Sequence, residues 1–244
     1  KLNPNYAEGY NNRGNIFFMM ENLDDALKSY EKAIQLKPNY PDAYNNRGNA
    51  LSKLNKKNDA IESYQKAIKL NPNYAQAYKN LGSVFREVND IDDAIESYKK
   101  AIEINPNYSE AFLDLGNIFR ENGKNILAIN NYEKAIKLKP NFDFLLGTII
   151  HTKLKICQWD TIEKNLKEIE EKVLNQKKIS QPWVFLTFND SPNLQKITSK
   201  LWSNREIFLL KKKLEPITQK LSNKKIRIGY YSADFYNHAT SQLM

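Results

Sequence analysis

Small, aromatic and apolar positions recur along this chain with a fixed step of 34 residues. Residues 41–74 read PDAYNNRGNALSKLNKKNDAIESYQKAIKLNPNY, and the stretches on either side repeat the pattern, giving four consecutive copies. Gly14, Gly48, Gly82 and Gly116 share one position, Ala26, Ala60, Ala94 and Ala128 a second, Tyr30, Tyr64, Tyr98 and Tyr132 a third, and Pro38, Pro72, Pro106 and Pro140 a fourth. Within a unit, Tyr44, Leu51 and Leu54 fall on one helical face, and Ile61, Tyr64 and Ile68 on the face of a second helix, at amphipathic spacing. Gly48, Ala60 and Ala67 are small where the two helices cross, so the backbones can approach closely. Asn55, Asn89 and Gly123 mark the turn between them, where a left-handed residue suits a C-cap; Glu21 departs from that preference. Asp24, Asn58 and Asp92 suit the N-cap of the second helix. Pro72 and its equivalents end that helix, because proline cannot continue the hydrogen-bond ladder.

A period of 34 with these markers resembles the tetratricopeptide repeat (TPR). One hairpin of this kind cannot bury its own apolar faces, but stacked copies can. The expected fold is therefore all-α, a TPR right-handed superhelix (α-solenoid) with a concave inner groove. Residues 1–6 match the end of a preceding unit; 7–40, 41–74, 75–108 and 109–142 are full units; 143–177 form a degenerate closing helical pair. In that pair His151 and Ile162 replace the usual residues, Asp160-Thr161-Ile162-Glu163 reads as a capping-box-like start, and Ile162, Leu166, Ile169 and Val173 form an apolar stripe. Residues 178–224 are linker helices: an apolar, non-helical stretch from Ser180 to Asn189 (Trp183, Phe185, Phe188), a helix opened by Ser191-Pro192, and a basic helix over roughly 203–221 interrupted by Pro216. From 225 the period changes to the alternation of a β-strand (Ile226, Ile228, Tyr230), followed by Ser232, Asp234, Asn237 and His238, as at the opening of an α/β domain. Ligands of such sheets bind beyond the carboxyl ends of the strands, which makes His238 a candidate acid/base group against a merely structural role. KLNPNY at 1–6 recurs at 69–74, and Leu243-Met244 stops inside an apolar pattern, so a longer parent protein is expected.

Charge and cysteine content narrow the function classes. The net charge of +9 is uneven: residues 1–140 carry +2 and residues 141–244 carry +7. The lysines are scattered, Lys211 to Lys213 being the longest run, and no stacking aromatics are interleaved with them, so a solvated face is expected rather than a nucleic-acid site. Cys157 is the one cysteine, which excludes an internal disulfide and fits a reducing compartment; it is expected to be a small buried residue beside Trp159 rather than a reactive thiol. No apolar run approaches the ~20 residues of a membrane span, and no signal peptide opens the chain. A cytoplasmic location is expected, with no membrane partner.

The first helices of the units line the inner face, and two of their positions stand out. One holds Asn12, Asn46, Asn80 and then Asp114; the other, three residues on, holds Asn15, Asn49, Ser83 and Asn117. A side-chain amide offers donors and an acceptor, the same two functions that an extended chain presents whatever its side chains. Inner helices spaced ~8–10 Å apart match about three residues of extended peptide at ~3.3 Å each. These residues are therefore the candidate peptide-binding set, against the alternative that an Asn-rich composition supplies them by drift. A groove for a C-terminal carboxylate would need cations here, but Asn11, Asn45 and Leu113 fill three of the four slots and only Lys79 the other.

Three later segments, ICQWD (156–160), PWVFLTFNDSPNLQKITS (182–199) and KIRIGYYSADFYNHATSQLM (225–244), resemble in order the linker and the first catalytic strand of protein O-GlcNAc transferases and SPINDLY-type enzymes, in their bacterial form. The resemblance implies a metal-independent, inverting glycosyltransferase with a truncated GT-B-like catalytic domain, using UDP-GlcNAc or another UDP-sugar on Ser or Thr of protein acceptors held extended in the groove. It further implies an asparagine ladder matched by Asn12, Asn46 and Asn80, with Asp114 departing from it, and an active-site histidine matched by His238. Ala239 and Gln242 depart from the Pro and His of the animal enzymes. With no nucleotide-binding lobe, the 244 residues are expected to bind no cofactor or metal and to be inactive alone. The alternative is a TPR interaction scaffold without transferase activity; a homodimer is left open.

Overall fold

The computed structural model describes residues 6–159, 162–187 and 189–211, with residues 204–211 described by backbone only. Contacts divide the chain into a unit ending at Asn204 and another starting at Arg205, and the repeats belong to the first. All regular structure among the described residues is helical. The expected strand at 226–230, Pro216 and His238 lie outside those residues.

Four helical hairpins follow the predicted units: α1 (Ala7–Met19) with α2 (Leu23–Leu36), α3 (Pro41–Lys53) with α4 (Lys57–Leu70), α5 (Ala75–Glu87) with α6 (Ile91–Ile104), and α7 (Ser109–Glu121) with α8 (Asn125–Leu138). Each second helix ends at a leucine or isoleucine two residues before the repeat proline, as proline's missing donor requires. The turns behave as the sequence predicts. Glu21, Asn55, Asn89 and Gly123 all have positive φ, between 61° and 71°. The N-caps differ from expectation. They are Asn22, Lys56, Asp90 and Lys124, two residues before Asp24, Asn58 and Asp92, because the tight turn leaves a single extended residue between the left-handed position and the helix. Only Asn22 and Asp90 accept a backbone N–H in the first turn.

The hairpins close on one recurrent contact. Tyr30, Tyr64, Tyr98 and Tyr132 are all essentially buried, and each ring lies against the glycine of the preceding helix. A Cβ on Gly48 would come within 2.6 Å of the Tyr64 ring, and one on Gly116 within 2.6 Å of Tyr132. Burying such a ring contributes roughly 1.5–3 kcal/mol. The alanines at 26, 60, 94 and 128 and at 33, 67, 101 and 135 are wholly buried along the same seam. Between units, Ala50, Val84 and Ile118 fill the equivalent buried position on α3, α5 and α7.

The array ends in a different core. Helices α9 (Leu145–Lys155) and α10 (Ile162–Leu174) keep the turn geometry, with Cys157 left-handed (φ 55°) at the place of Gly123 one period earlier. The glycine and tyrosine positions are taken by Ile150 and Leu166, so small-against-large becomes medium-against-medium. Cys157 is exposed, as is Trp159, and not the small buried residue that its apolar neighbours suggested: it occupies the turn itself. The segment after α10 crosses the start of α9, where the Lys178 and Ile179 carbonyls accept from the backbone N–H groups of Phe144 (2.6 Å) and Gly147 (2.9 Å). Glycine is needed at 147, since a Cβ would stand 2.8 Å from the Ser180 Cα. The stretch 180–189 contains a short helix, α11 (Pro182–Phe185), whose proline at the first position starts it and whose Phe185 is buried with Leu146, Ile150, Ile169 and Val173. Helix α12 (Pro192–Lys211) runs on as one element through 203, where a separate basic helix was expected to begin, and its Trp202 packs edge-on against both Phe144 and Trp183.

Gly48→Ala should destabilise the array by about 2 kcal/mol through overpacking against Tyr64. Gly123→Ala, with nothing near its Cβ and only the left-handed backbone to resist it, should cost about 1 kcal/mol. Urea denaturation followed by circular dichroism would rank the two.

Candidate functional site

Helices α1, α3, α5 and α7 lie side by side, each touching the next, while α2, α4, α6 and α8 stand behind them. The inner face is thus built from first helices alone, and the two amide columns predicted from sequence lie on it.

The column at 15, 49, 83 and 117 is tied to the tyrosines behind it. The hydroxyls of Tyr30, Tyr64 and Tyr132 donate to the Oδ1 atoms of Asn15 (2.9 Å), Asn49 (2.8 Å) and Asn117 (2.9 Å), and Tyr98 donates to the Ser83 Oγ (3.1 Å). At Tyr132 the hydroxyl also accepts from Arg120 Nε at 3.1 Å, which leaves its proton available for Asn117. Each asparagine carbonyl is therefore held from behind, and among the described residues the Nδ2 donors of Asn15, Asn49 and Asn117 find no partner and are not buried. Burial pushes the Tyr30 hydroxyl up to about 12 and raises those of Tyr64, Tyr98 and Tyr132 as well.

The column at 12, 46, 80 and 114 sits differently. Asn12 is exposed, whereas Asn46 and Asn80 are half-buried and bridge to the preceding helix. Asn46 Nδ2 donates to Asn11 Oδ1 at 3.0 Å; Asn80 Nδ2 donates to Asn45 Oδ1 at 3.1 Å and to Asn49 Oδ1 at 3.0 Å. At the third junction the same contact becomes an ion pair, Lys79 Nζ to Asp114 at 3.4 Å. Each of these rungs joins residue i to residue i+35. Two turns further along α5, Arg86 makes a two-point contact with Glu121 at 2.6 and 3.1 Å. Burial holds the Asp114 carboxyl above the usual carboxylate range, with Lys79 opposing it. The rung positions at 11, 45 and 79 were noticed in the sequence only as poor cation slots. Their bonds to the next unit fall at a step of 35, one residue off the repeat period.

Two adjoining hollows follow the face. One of about 220 Å³ between α3 and α5 is lined by Asn49, Asn80 and Ser83 among others; a wider cleft of about 650 Å³ between α5 and α7 is lined by Lys79, Ser83, Arg86 and Asp114 among others. Asn45 and Asn11 are buried in their rungs and Lys79 is paired, so these three slots offer no free cation to a carboxylate. No group of metal-ligating side chains occurs among the described residues, and no described helix is long and apolar enough to cross a membrane.

Family models for the TPR repeat match residues 14–55, and models for the tetratricopeptide repeat match 41–74, 75–108 and 97–130. None of the curated proteins matches the chain significantly. Among solved structures, the crystal structure of a MamA protein aligns with a TM-score of 0.61 at 28% identity, over 70% of this chain and 93% of that one. MamA from Desulfovibrio magneticus RS-1 aligns at 0.59 and 19% identity over 68% and 93%. YrrB, described as a TPR protein with an unusual peptide-binding site, aligns at 0.54 and 19% identity over 87% and 94%.

Tyr30→Phe should cost about 1 kcal/mol at neutral pH by removing the bond to Asn15. The unfolded tyrosine ionises near 10, the folded one at about 12. The stabilisation is therefore whole below pH about 10 and is lost as pH rises toward 12. Thermal melts across this range should fall less steeply for Tyr30→Phe than for the wild type.

Proposed function

We infer that this chain, a tetratricopeptide-repeat protein over residues 14–130, is a peptide-binding scaffold that holds an extended polypeptide along the inner face of α1, α3, α5 and α7. One observation carries the reading: the amide groups of Asn15, Asn49 and Asn117 have their carbonyls fixed by tyrosine hydroxyls and their donors left open. Donors held in this way lose little rotamer freedom when they bind a main-chain carbonyl, which keeps the entropic cost of binding low. They recur at the repeat step in the first, second and fourth units, so each can take a carbonyl of one strand about three residues on for every unit passed. Asn12 adds an exposed amide in the first unit, and Asn46 and Asn80 stiffen the wall rather than face the peptide with free donors.

A second reading, supported by the segments at 156–160, 182–199 and 225–244, gives the bound polypeptide a destination. In it the scaffold presents Ser or Thr hydroxyls of client proteins to a UDP-sugar-dependent O-glycosyltransferase lobe, with His238 in its active site and UDP leaving as the sugar is transferred. Transfer of labelled GlcNAc from UDP-GlcNAc to protein by a longer gene product that contains these residues, lost in His238→Ala, is the expected result. Undiminished transfer by the variant would remove His238 from the chemistry, and no transfer at all would leave the scaffold reading alone.

For the scaffold itself, replacing Asn15, Asn49 and Asn117 together by Ala should weaken binding of unstructured peptides about tenfold or more, while helicity is retained. Replacing Asn12, Asn46 and Asn80 should weaken it less, since two of these three amides are already bonded to the preceding helix. Equal peptide affinity in the first variant and the wild type, measured by calorimetry, would contradict the reading.

A further inference from the structure

We infer that the cleft between α5 and α7 selects a basic side chain in the bound peptide, with the Asp114 carboxylate as its acceptor; this rests on the groove reading and adds sequence preference to it. The rungs of the inner face change character at this junction. Asn11 to Asn46 and Asn45 to Asn80 are neutral amide pairs, and only the third rung, Lys79 to Asp114, is charged. A peptide lying along the face therefore meets neutral rungs at the first two junctions and a charged one here.

The charges around the cleft are not equally occupied. Arg86 is engaged by both carboxylate oxygens of Glu121. Glu87, on the rim, is paired with Lys57. Asp114 has one ion pair among the described residues, to Lys79 at 3.4 Å, with Arg86 attracting it more weakly, and its side chain is only 21% exposed. A carboxylate offers about four acceptor positions, so most of the capacity of Asp114 is unmet in a place that water solvates poorly. A guanidinium or ammonium group entering the 650 Å³ cleft would supply the missing donors. An incoming carboxylate would instead have to draw Lys79 away, leaving Asp114 buried and unpaired beside Glu87 and Glu121, which is strongly unfavourable. Burial also holds the Asp114 carboxyl up against the pull of Lys79, in keeping with a charge that its present partner does not fully compensate.

Three twelve-residue peptides of Gly, Ser and Thr, carrying one central Arg, Gln or Glu, would be titrated into the whole chain and followed by backbone amide NMR shifts. The Arg peptide is expected to bind about tenfold more tightly than the Gln peptide, with the Glu peptide weakest, and Asp114→Asn should erase the difference between Arg and Gln. The wild-type comparison needs no variant, so a folding failure of Asp114→Asn does not remove the test. Equal affinities for all three peptides would overturn the inference while leaving the groove reading intact. A preference for Glu would overturn it in favour of Lys79 as a carboxylate receptor. If none of the peptides bound, both the groove reading and this inference would fall.

Discussion

The ring of Tyr64 lies against Gly48 while its hydroxyl donates to Asn49, and the same arrangement returns at Tyr30, Tyr98 and Tyr132. Packing and polarity are satisfied by one side chain. The glycine lets the ring reach the seam between helices, where it is excluded from water, and the hydroxyl then needs a partner on the far side. That partner is an asparagine or serine on the inner face. The stability of each hairpin and the orientation of its groove amide are therefore two consequences of one contact. Losing the polar side chain at 15 or 49 leaves a buried tyrosine hydroxyl without its partner.

The rungs linking successive inner helices form a second layer of order. Amide pairs fix the first two junctions without bringing charge into the groove, and the Lys79–Asp114 and Arg86–Glu121 pairs fix the third. Exposed ion pairs contribute little to stability, but Lys79 and Asp114 are both mostly covered, so their pairing constrains how α5 and α7 sit. Beyond α8 the tyrosine contact is replaced by an aliphatic and aromatic core around Ile150, Ile169 and Phe185. Two backbone bonds from α9 to the Lys178 and Ile179 carbonyls close that end with a strap instead of another repeat.

The repeats were legible because their physics is local and recurs. Gly, Ala, Tyr and Pro at a 34-residue step allow little besides stacked hairpins, and even the left-handed turn residues were readable. The N-caps were misplaced because Asp24, Asn58 and Asp92 are good capping residues that lie inside the first turn, while Lys56 and Lys124 cap with backbone only. The groove was half legible. Asn15, Asn49 and Asn117 stood out by recurrence, but their bond to a tyrosine fifteen residues away depends on how two helices face each other. The inter-unit rungs were hidden because residue i+35 belongs to the next unit at a neighbouring position, which a strict 34-residue comparison does not align. Cys157 differs from expectation for a related reason: composition marks it as buried, whereas its place in the period marks it as a turn.

The most direct test follows the side-chain amide protons of Asn15, Asn49 and Asn117 by ¹⁵N NMR as an unstructured peptide is added. Their signals should be resolved and restrained in the free protein and should move together on titration, while the amides of Asn39, Asn73 and Asn107 in the loops between units stay in place. If the three behave as freely rotating surface amides, or stay still while the peptide binds elsewhere, the tyrosine-held column is not what grips the chain.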